Sequence, residues 1–188
     1  MKIQVKYDIH TSCKIILQEQ LDKLDVPYTI SGLGEIEIKE TVSTEKYKEL
    51  ETNLGRYAIV IIDDPKNIFT QKVKDTIVEM VFLDEANTTL KTSVYLAEKL
   101  NKSYNYIASV FSEVTYTSIQ NFIVLQKIER AKQEIIDGKE TLTEIAWNLK
   151  FSSVAHLSNE FKRITGLTPT AFQRIIKKRK ENDFTPQL

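Results

Sequence analysis

The side chains best suited to nucleophilic or metal chemistry are His10, Cys13 and His156, the two histidines and the one cysteine of the chain. His10 and Cys13 stand as H-x-x-C. A thiolate and an imidazole are both ligands for a soft metal ion such as Cu(I) or zinc, so the pair is a candidate metal site. Two ligands are too few for a structural zinc, which is normally four-coordinate, so a second chain, a substrate or another residue would have to complete the shell. The alternative makes Cys13 a small apolar helix residue, in a domain that dimerises, contacts protein or takes an unidentified ligand. His156 stands far away in the sequence, and no Ser-His-Asp or metal-hydrolase spacing joins the three. Gly32 and Gly34 fall together but make no glycine-rich phosphate loop. Enzymatic activity is not expected, and no cofactor is required beyond that metal ion.

Composition bounds the setting in which these residues work. At 188 residues, 41% hydrophobic and 28% charged, the chain fits two small domains of a folded protein better than a disordered one. With a single cysteine no intrachain disulfide forms, and no stretch reaches the roughly 18 apolar residues of a membrane span. The start, from Met1 to Lys6, alternates apolar and polar residues as a strand does, unlike a signal peptide. A cytoplasmic protein without membrane contact is expected. The net charge of zero conceals an asymmetry: residues 1–84 carry 11 Lys and Arg against 15 Asp and Glu, and residues 85–188 carry 15 against 11. The excess of four positive charges in the second half is modest, and by itself it does not separate a DNA binder from a basic helical bundle.

The elements that must position His10 and Cys13 follow from hydrophobic period. Ile3, Val5 and Tyr7 alternate as a strand; Ile16, Leu17, Leu21 and Leu24 repeat as a helix behind caps at Thr11 or Ser12. Tyr28 and Ile30, the turn at Ser31–Gly34, then Ile36 and Ile38 predict a hairpin. Ser43 caps a helix carrying Tyr47, Leu50 and Leu54, and Ala58–Ile62 reads as a buried strand. The order predicts a ferredoxin-like βαββαβ domain over residues 1–64. With the loop His10-Thr11-Ser12-Cys13 entering its first helix, this part resembles heavy-metal-associated domains, which carry C-x-x-C at that point. The resemblance implies a sensing or dimerisation role. Asp64-Pro65 opens a connecting helix through Ile68, Phe69, Val73, Ile77, Met80 and Val81, and residues 65–87 form that helix and a linker.

Residues 88–180 read as all-α, with 181–188 a tail, so the fold class is α+β. The same local grammar occurs twice: a short helix, a turn, then a helix ending in an apolar-aromatic pair. The first copy has Val94, Leu96, Ala97 and Leu100, a turn at Asn101–Ser103, then Ile107, Val110, Phe111 and Val114. A long helix from about Ser118 to Gly138 leads to Leu142, Ile145, Ala146 and Leu149, a turn at Lys150–Ser152, then Leu157, Phe161 and Ile164. Leu157, Phe161, Phe111, Trp147 and Phe172 are expected in the core. Arg130-Ala131-Lys132, Leu142-Thr143-Glu144-Ile145-Ala146, Phe151-Ser152-Ser153, Phe161-Lys162-Arg163, Thr165-Gly166 and Thr168-Pro169 with Phe172 together resemble the AraC/XylS transcription-factor domain, with two helix-turn-helix motifs. The pattern usually has Gly where Lys150 stands and often where Tyr116 stands; if those positions need φ > 0, each substitution costs on the order of 1 kcal/mol.

The resemblance implies a sequence-specific, DNA-binding transcriptional regulator. Its partners would be double-stranded DNA, a second copy in a homodimer, and RNA polymerase. Asn105, Ala108 and Ser109 in the first motif, and Val154, Ala155, Ser158 and Asn159 in the second, would face bases. Ser103, Ser112, Ser153 and Lys162 would flank them as DNA contacts. Asn105 and Asn159 are the candidates for pairing with adenine. His156 stands where packing or a phosphate contact is expected, and Lys177-Lys178-Arg179-Lys180 is a solvated helix end. Neither base-facing set contains Arg, which predicts modest affinity. The alternative is a regulator that acts through protein contact with weak or no DNA binding.

Overall fold

The computed structural model describes residues 3, 5, 8–31, 34–82 and 91–183. The hairpin tip at residues 32–33, the linker at residues 83–90 and the tail at residues 184–188 lie outside them. The chain divides into two compact units, residues 1–68 and 69–188.

In the first unit α1 spans Ile9–Asp22, β1 Tyr28–Ser31, β2 Glu35–Ile38 and α2 Thr44–Gly55. α1 starts before the expected caps at Thr11 and Ser12, because the Asp8 carboxylate accepts the Thr11 N–H at 2.7 Å and closes the first turn earlier. Ser43 caps α2 as its residue type predicts. β1 and β2 pair antiparallel with Tyr28 opposite Ile38 and Ile30 opposite Ile36, so one face is apolar. That face covers a core of Leu17, Leu21, Leu24, Leu50 and Leu54. Buried leucines at these spacings contribute roughly 1.5–3 kcal/mol each, which makes this small core the main support of the unit.

The four-stranded ferredoxin-like sheet is not formed among the described residues, where a single two-stranded sheet is present. Ile3 and Val5 lie outside any strand and are exposed. Ile59 and Ile61 do lay their side chains on the leucine core, as strand alternation demands, while Val60 faces out. However, Ala58 has φ of 58° and the Ile59 N–H is given to the Leu54 carbonyl, so this backbone continues the helix cap instead of joining a ladder. The rest of the expected first strand, Tyr7 included, lies outside the described residues.

The helix α3, Pro65–Phe82, opens on Asp64, whose carboxylate accepts the Asn67 N–H. It is followed by α4 Thr92–Leu100, α5 Tyr104–Thr115, α6 Ile119–Asp137, α7 Leu142–Asn148, α8 Val154–Thr165 and α9 Pro169–Asp183. Two cores hold the second unit. Val73, Ile77 and Val81 of α3 pack with Tyr95, Leu96, Ile107, Phe111, Ile119 and Ile123. Ile128, Ala131 and Ile135 pack with Ile145, Ala146, Leu149, Phe151, Leu157 and Phe161. The helix α6 supplies both, so it fixes one motif relative to the other. Arg130 on α6 ties the arrangement further, pairing with Glu134 at 2.8 Å and donating to the Val81 carbonyl at the end of α3. Burial pushes the Glu134 carboxyl above the usual carboxylate range in spite of Arg130.

Candidate nucleic-acid interface

The two motifs repeat each other's hydrogen bonds at the ends of α5 and α8. Ser103 caps α5 by accepting the Tyr106 N–H at 3.3 Å, and Ser153 caps α8 by accepting the His156 N–H at 3.1 Å. At the other ends, Thr115 and Thr165 each donate to the carbonyl of the helical phenylalanine before them, Phe111 and Phe161, at 2.7 Å. Those hydroxyls also accept the N–H of Thr117 and Leu167. Ser and Thr win these places because a short hydroxyl satisfies a helix-end group that would otherwise lack a partner.

With Ile107, Val110 and Phe111 turned into one core, and Leu157 and Phe161 into the other, the opposite faces of α5 and α8 are left outward. Asn105 and Ser109 are exposed on the first, and Val154, Ala155, Asn159 and Lys162 on the second. Ala108 and Ser158 are half-buried at the margins, Ala108 against the first core. The spacing of three and four residues places each set on one helical face. Ser112 is exposed, but its hydroxyl donates back to the Ala108 and Ser109 carbonyls, leaving only its lone pairs for a ligand. Ser103 and Ser153 use their lone pairs as caps and keep an O–H to give. Beyond these faces, Arg163 pairs with Glu160 at 2.6 Å and reaches Asn121 of α6. On α9, Lys177, Lys178 and Arg179 are exposed, whereas Lys180 donates to the Ile136 carbonyl and so closes the end of α6.

The positions where Gly was expected behave as that pattern requires. Tyr116 ends α5 at φ 56°, where the second motif has Gly166 at φ 78°, and Lys150 lies at φ 53° after α7. The left-handed conformation is kept without the residue that adopts it freely. Trp147 corrects the sequence reading: it is 80% exposed, because Ile145, Ala146 and Leu149 already fill the buried side of this short helix. Tyr95, overlooked in the sequence, is buried in the first core instead.

Around the second turn, His156 Nδ1 lies 3.0 Å from the Ser152 hydroxyl, and its ring meets Phe151 edge-on at 5.3 Å. Lys127 of α6 lies over that phenylalanine at 5.4 Å. Desolvation holds the Lys127 ammonium below the usual lysine value, with repulsion from Lys150 acting in the same direction. Cys13 is half-exposed within α1, and His10 lies on the same helix, so H-x-x-C occupies helical turns and not the expected loop. Among the described residues no group of three or more metal-ligating side chains assembles. No helix of the described residues is long and apolar enough to cross a membrane.

Comparison with known proteins agrees with this geometry. The Msm operon regulatory protein of Streptococcus mutans is 30% identical over 81 residues, covering 43% of this chain and 29% of that protein. An uncharacterised helix-turn-helix transcriptional regulator of Staphylococcus aureus is 32% identical over 78 residues, 42% of this chain and 10% of its own length. The chain thus spans less than a third of either relative. Among solved structures, a DNA-binding transcriptional dual regulator from Escherichia coli K-12 superimposes with a TM-score of 0.50 at 20% identity, over 57% of this chain and 94% of that one. At that identity the likeness shows the fold alone. Residues 96–175, within the second unit, match the helix-turn-helix domain family.

Proposed function

We propose that the chain is a sequence-specific DNA-binding transcriptional regulator of the AraC type, reading double-stranded DNA with α5 and α8. The observation that carries this is the pair of outward faces on two identically capped helices. Asn105 and Ser109 on one, and Ser158 and Asn159 on the other, have side chains that make no hydrogen bond among the described residues. An amide or hydroxyl in that position is suited to base edges in the major groove, and Asn offers the bidentate match to adenine. Ser103, Ser153 and Lys162 would hold phosphates beside them. Regulators of this kind act at promoters, and contact with RNA polymerase belongs to the same reading; an exposed tryptophan such as Trp147 is a residue type that protein partners bury.

Control is assigned to the first 64 residues, by homodimerisation or by a ligand. The small uncharged reading faces support dimerisation, since one copy makes few strong base contacts. For a soft metal, His10 and Cys13 supply two donors, and a second chain would have to provide the others.

The test is electrophoretic mobility shift of the full chain against genomic fragments across a salt series. Discrete complexes on few fragments, weakening with salt as several phosphate contacts require, are expected. No complex at low salt would overturn the proposal in favour of regulation through protein contact alone.

A further inference from the structure

Both reading helices carry the same device in their first turn. The third residue of each helix is an aromatic with a polar tip, Tyr106 on α5 and His156 on α8, and its N–H is given to the capping serine. Each ring is braced by a phenylalanine from outside its helix. Phe69 of α3 meets Tyr106 at 5.5 Å with planes tilted by 56°, and Phe151 meets His156 at 5.3 Å edge-on. Each pair also has a lysine over one of its rings: Lys102 is 5.9 Å from the centre of Tyr106, and Lys127 is 5.4 Å from that of Phe151. The polar tips are left over. Tyr106 is 49% exposed and its hydroxyl makes no hydrogen bond among the described residues. His156 is exposed, with Nδ1 at 3.0 Å from the Ser152 hydroxyl; in the tautomer where that hydroxyl donates, the ring proton stands on Nε2.

We propose that Tyr106 and His156 are a matched pair of phosphate anchors, one for each motif, gripping the DNA backbone beside the two reading faces. The proposal rests on the DNA-binding reading above; to the phosphate contact expected at His156 it adds Tyr106 and the matching of the two. Its chemistry is that of donors. Phosphate oxygens only accept, and each tip offers one O–H or N–H. Its energetics follow from the braces. A ring packed on a neighbouring ring, and held further by Lys102 at Tyr106 or by Ser152 at His156, has less freedom to lose on binding than a bare lysine does, so its hydrogen bond is retained more fully. Solvation at a helix start would account for a polar residue at this position. It does not account for an aromatic ring with a polar tip at the same position of both helices, each packed on a phenylalanine from elsewhere in the chain, with a lysine over one ring of each pair.

The experiment uses ring-retaining variants of the full chain, Tyr106→Phe and His156→Phe, which delete the donor and keep the packing. Binding is measured by anisotropy on a labelled mixed-sequence duplex and on the tightest duplex selected from a random pool, with thermal unfolding alongside. Each variant is expected to weaken both duplexes alike, by about three- to tenfold, as loss of one hydrogen bond to phosphate implies. His156→Gln, which restores an N–H, is expected to recover most of the loss. By contrast, Asn159→Ala should weaken the selected duplex alone. Parent-like binding by both Phe variants while the parent binds tightly would overturn the anchors and leave the DNA reading standing. A loss confined to the selected duplex would also overturn them, by making the tips base readers. Absence of binding by the parent itself would overturn both.

Discussion

The rings of Phe161 and Phe172 lie 5.5 Å apart with their planes tilted by 57°, and Phe111 and Phe122 repeat the relationship at 5.5 Å and 59°. In each motif the reading helix is thereby pinned to the helix that follows it, so the orientation of an outward face depends on an inward ring. Phe111 and Phe161 are fully buried. Truncation of either to Ala should cost about 3–5 kcal/mol, from lost transfer and an unfilled cavity. Denaturant unfolding of Phe111→Ala and Phe161→Ala checks this, and a loss below about 1 kcal/mol in either would contradict the packing.

Tyr116 ends α5 in a left-handed conformation and is 94% exposed, so its side chain gains no packing for the backbone strain. Replacement by Gly, the residue at the same point of the second motif, should stabilise the chain by about 0.5–1 kcal/mol, after allowing for the greater freedom of Gly in the unfolded state. The expected rise in Tm is about 1–4 °C. Lys150→Gly should act in the same direction and also relieve the repulsion on Lys127. A fall in Tm for Tyr116→Gly would mean that the tyrosine makes a contact in solution.

These two glycine-less turns were legible because φ > 0 is a local demand that a missing Gly makes conspicuous. Local signals served well elsewhere, in the Ser43 cap, the Asp64-Pro65 helix start and the doubled motif. The ferredoxin-like sheet is not seen among the described residues: alternation at Ile59 and Ile61 reports which side chains face a core, while strand pairing depends on a distant partner that alternation does not reveal. Trp147 misled through its residue type; its helical phase, between buried Ala146 and Leu149, already pointed outward. The Tyr106 and His156 braces were hidden because Phe69 lies on a helix remote in sequence and Phe151 is part of the turn.

Glu144 and Thr141 form a reciprocal cap on α7: the carboxylate accepts the Thr141 N–H at 2.7 Å and hydroxyl at 2.8 Å, and the Thr141 hydroxyl accepts the Glu144 N–H. The backbone hydrogen bond from Thr141, then the one from its hydroxyl, hold the Glu144 carboxyl below the usual value. A carboxylate whose folded pKa is depressed contributes stability that is complete above its unfolded pKa and disappears as pH falls through the folded one. Hydrogen exchange at the start of α7 should therefore accelerate as pH drops below about 4, beyond the intrinsic trend. In Glu144→Gln, where an amide oxygen replaces the carboxylate, that extra acceleration should vanish. An identical acid response in parent and variant would exclude this cap as its source.

Cys13 and His10 share α1, and among the described residues no group of three or more metal-ligating side chains is found. Zinc or Cu(I), added to the reduced full chain, should leave the Tm of parent and Cys13→Ser shifted equally, because weak surface binding is common to both. A rise specific to the parent, larger at higher protein concentration, would instead show a site closed between two copies.

Trp147 is the chain's single tryptophan, and at 80% exposure it reports on one side of the second motif alone. Its emission should be that of a hydrated indole and be quenched freely by acrylamide. Trp147→Ala should lie within about 0.5 kcal/mol of the parent, as expected where no buried contact is lost. If the side chain is kept exposed for a protein partner, the variant should retain DNA binding while losing activation in a reporter assay, because partner contact and base reading would use different surfaces. Blue-shifted emission that depends on protein concentration would show that a second copy covers this surface, and full activation by Trp147→Ala would remove Trp147 from any contact with the transcription machinery.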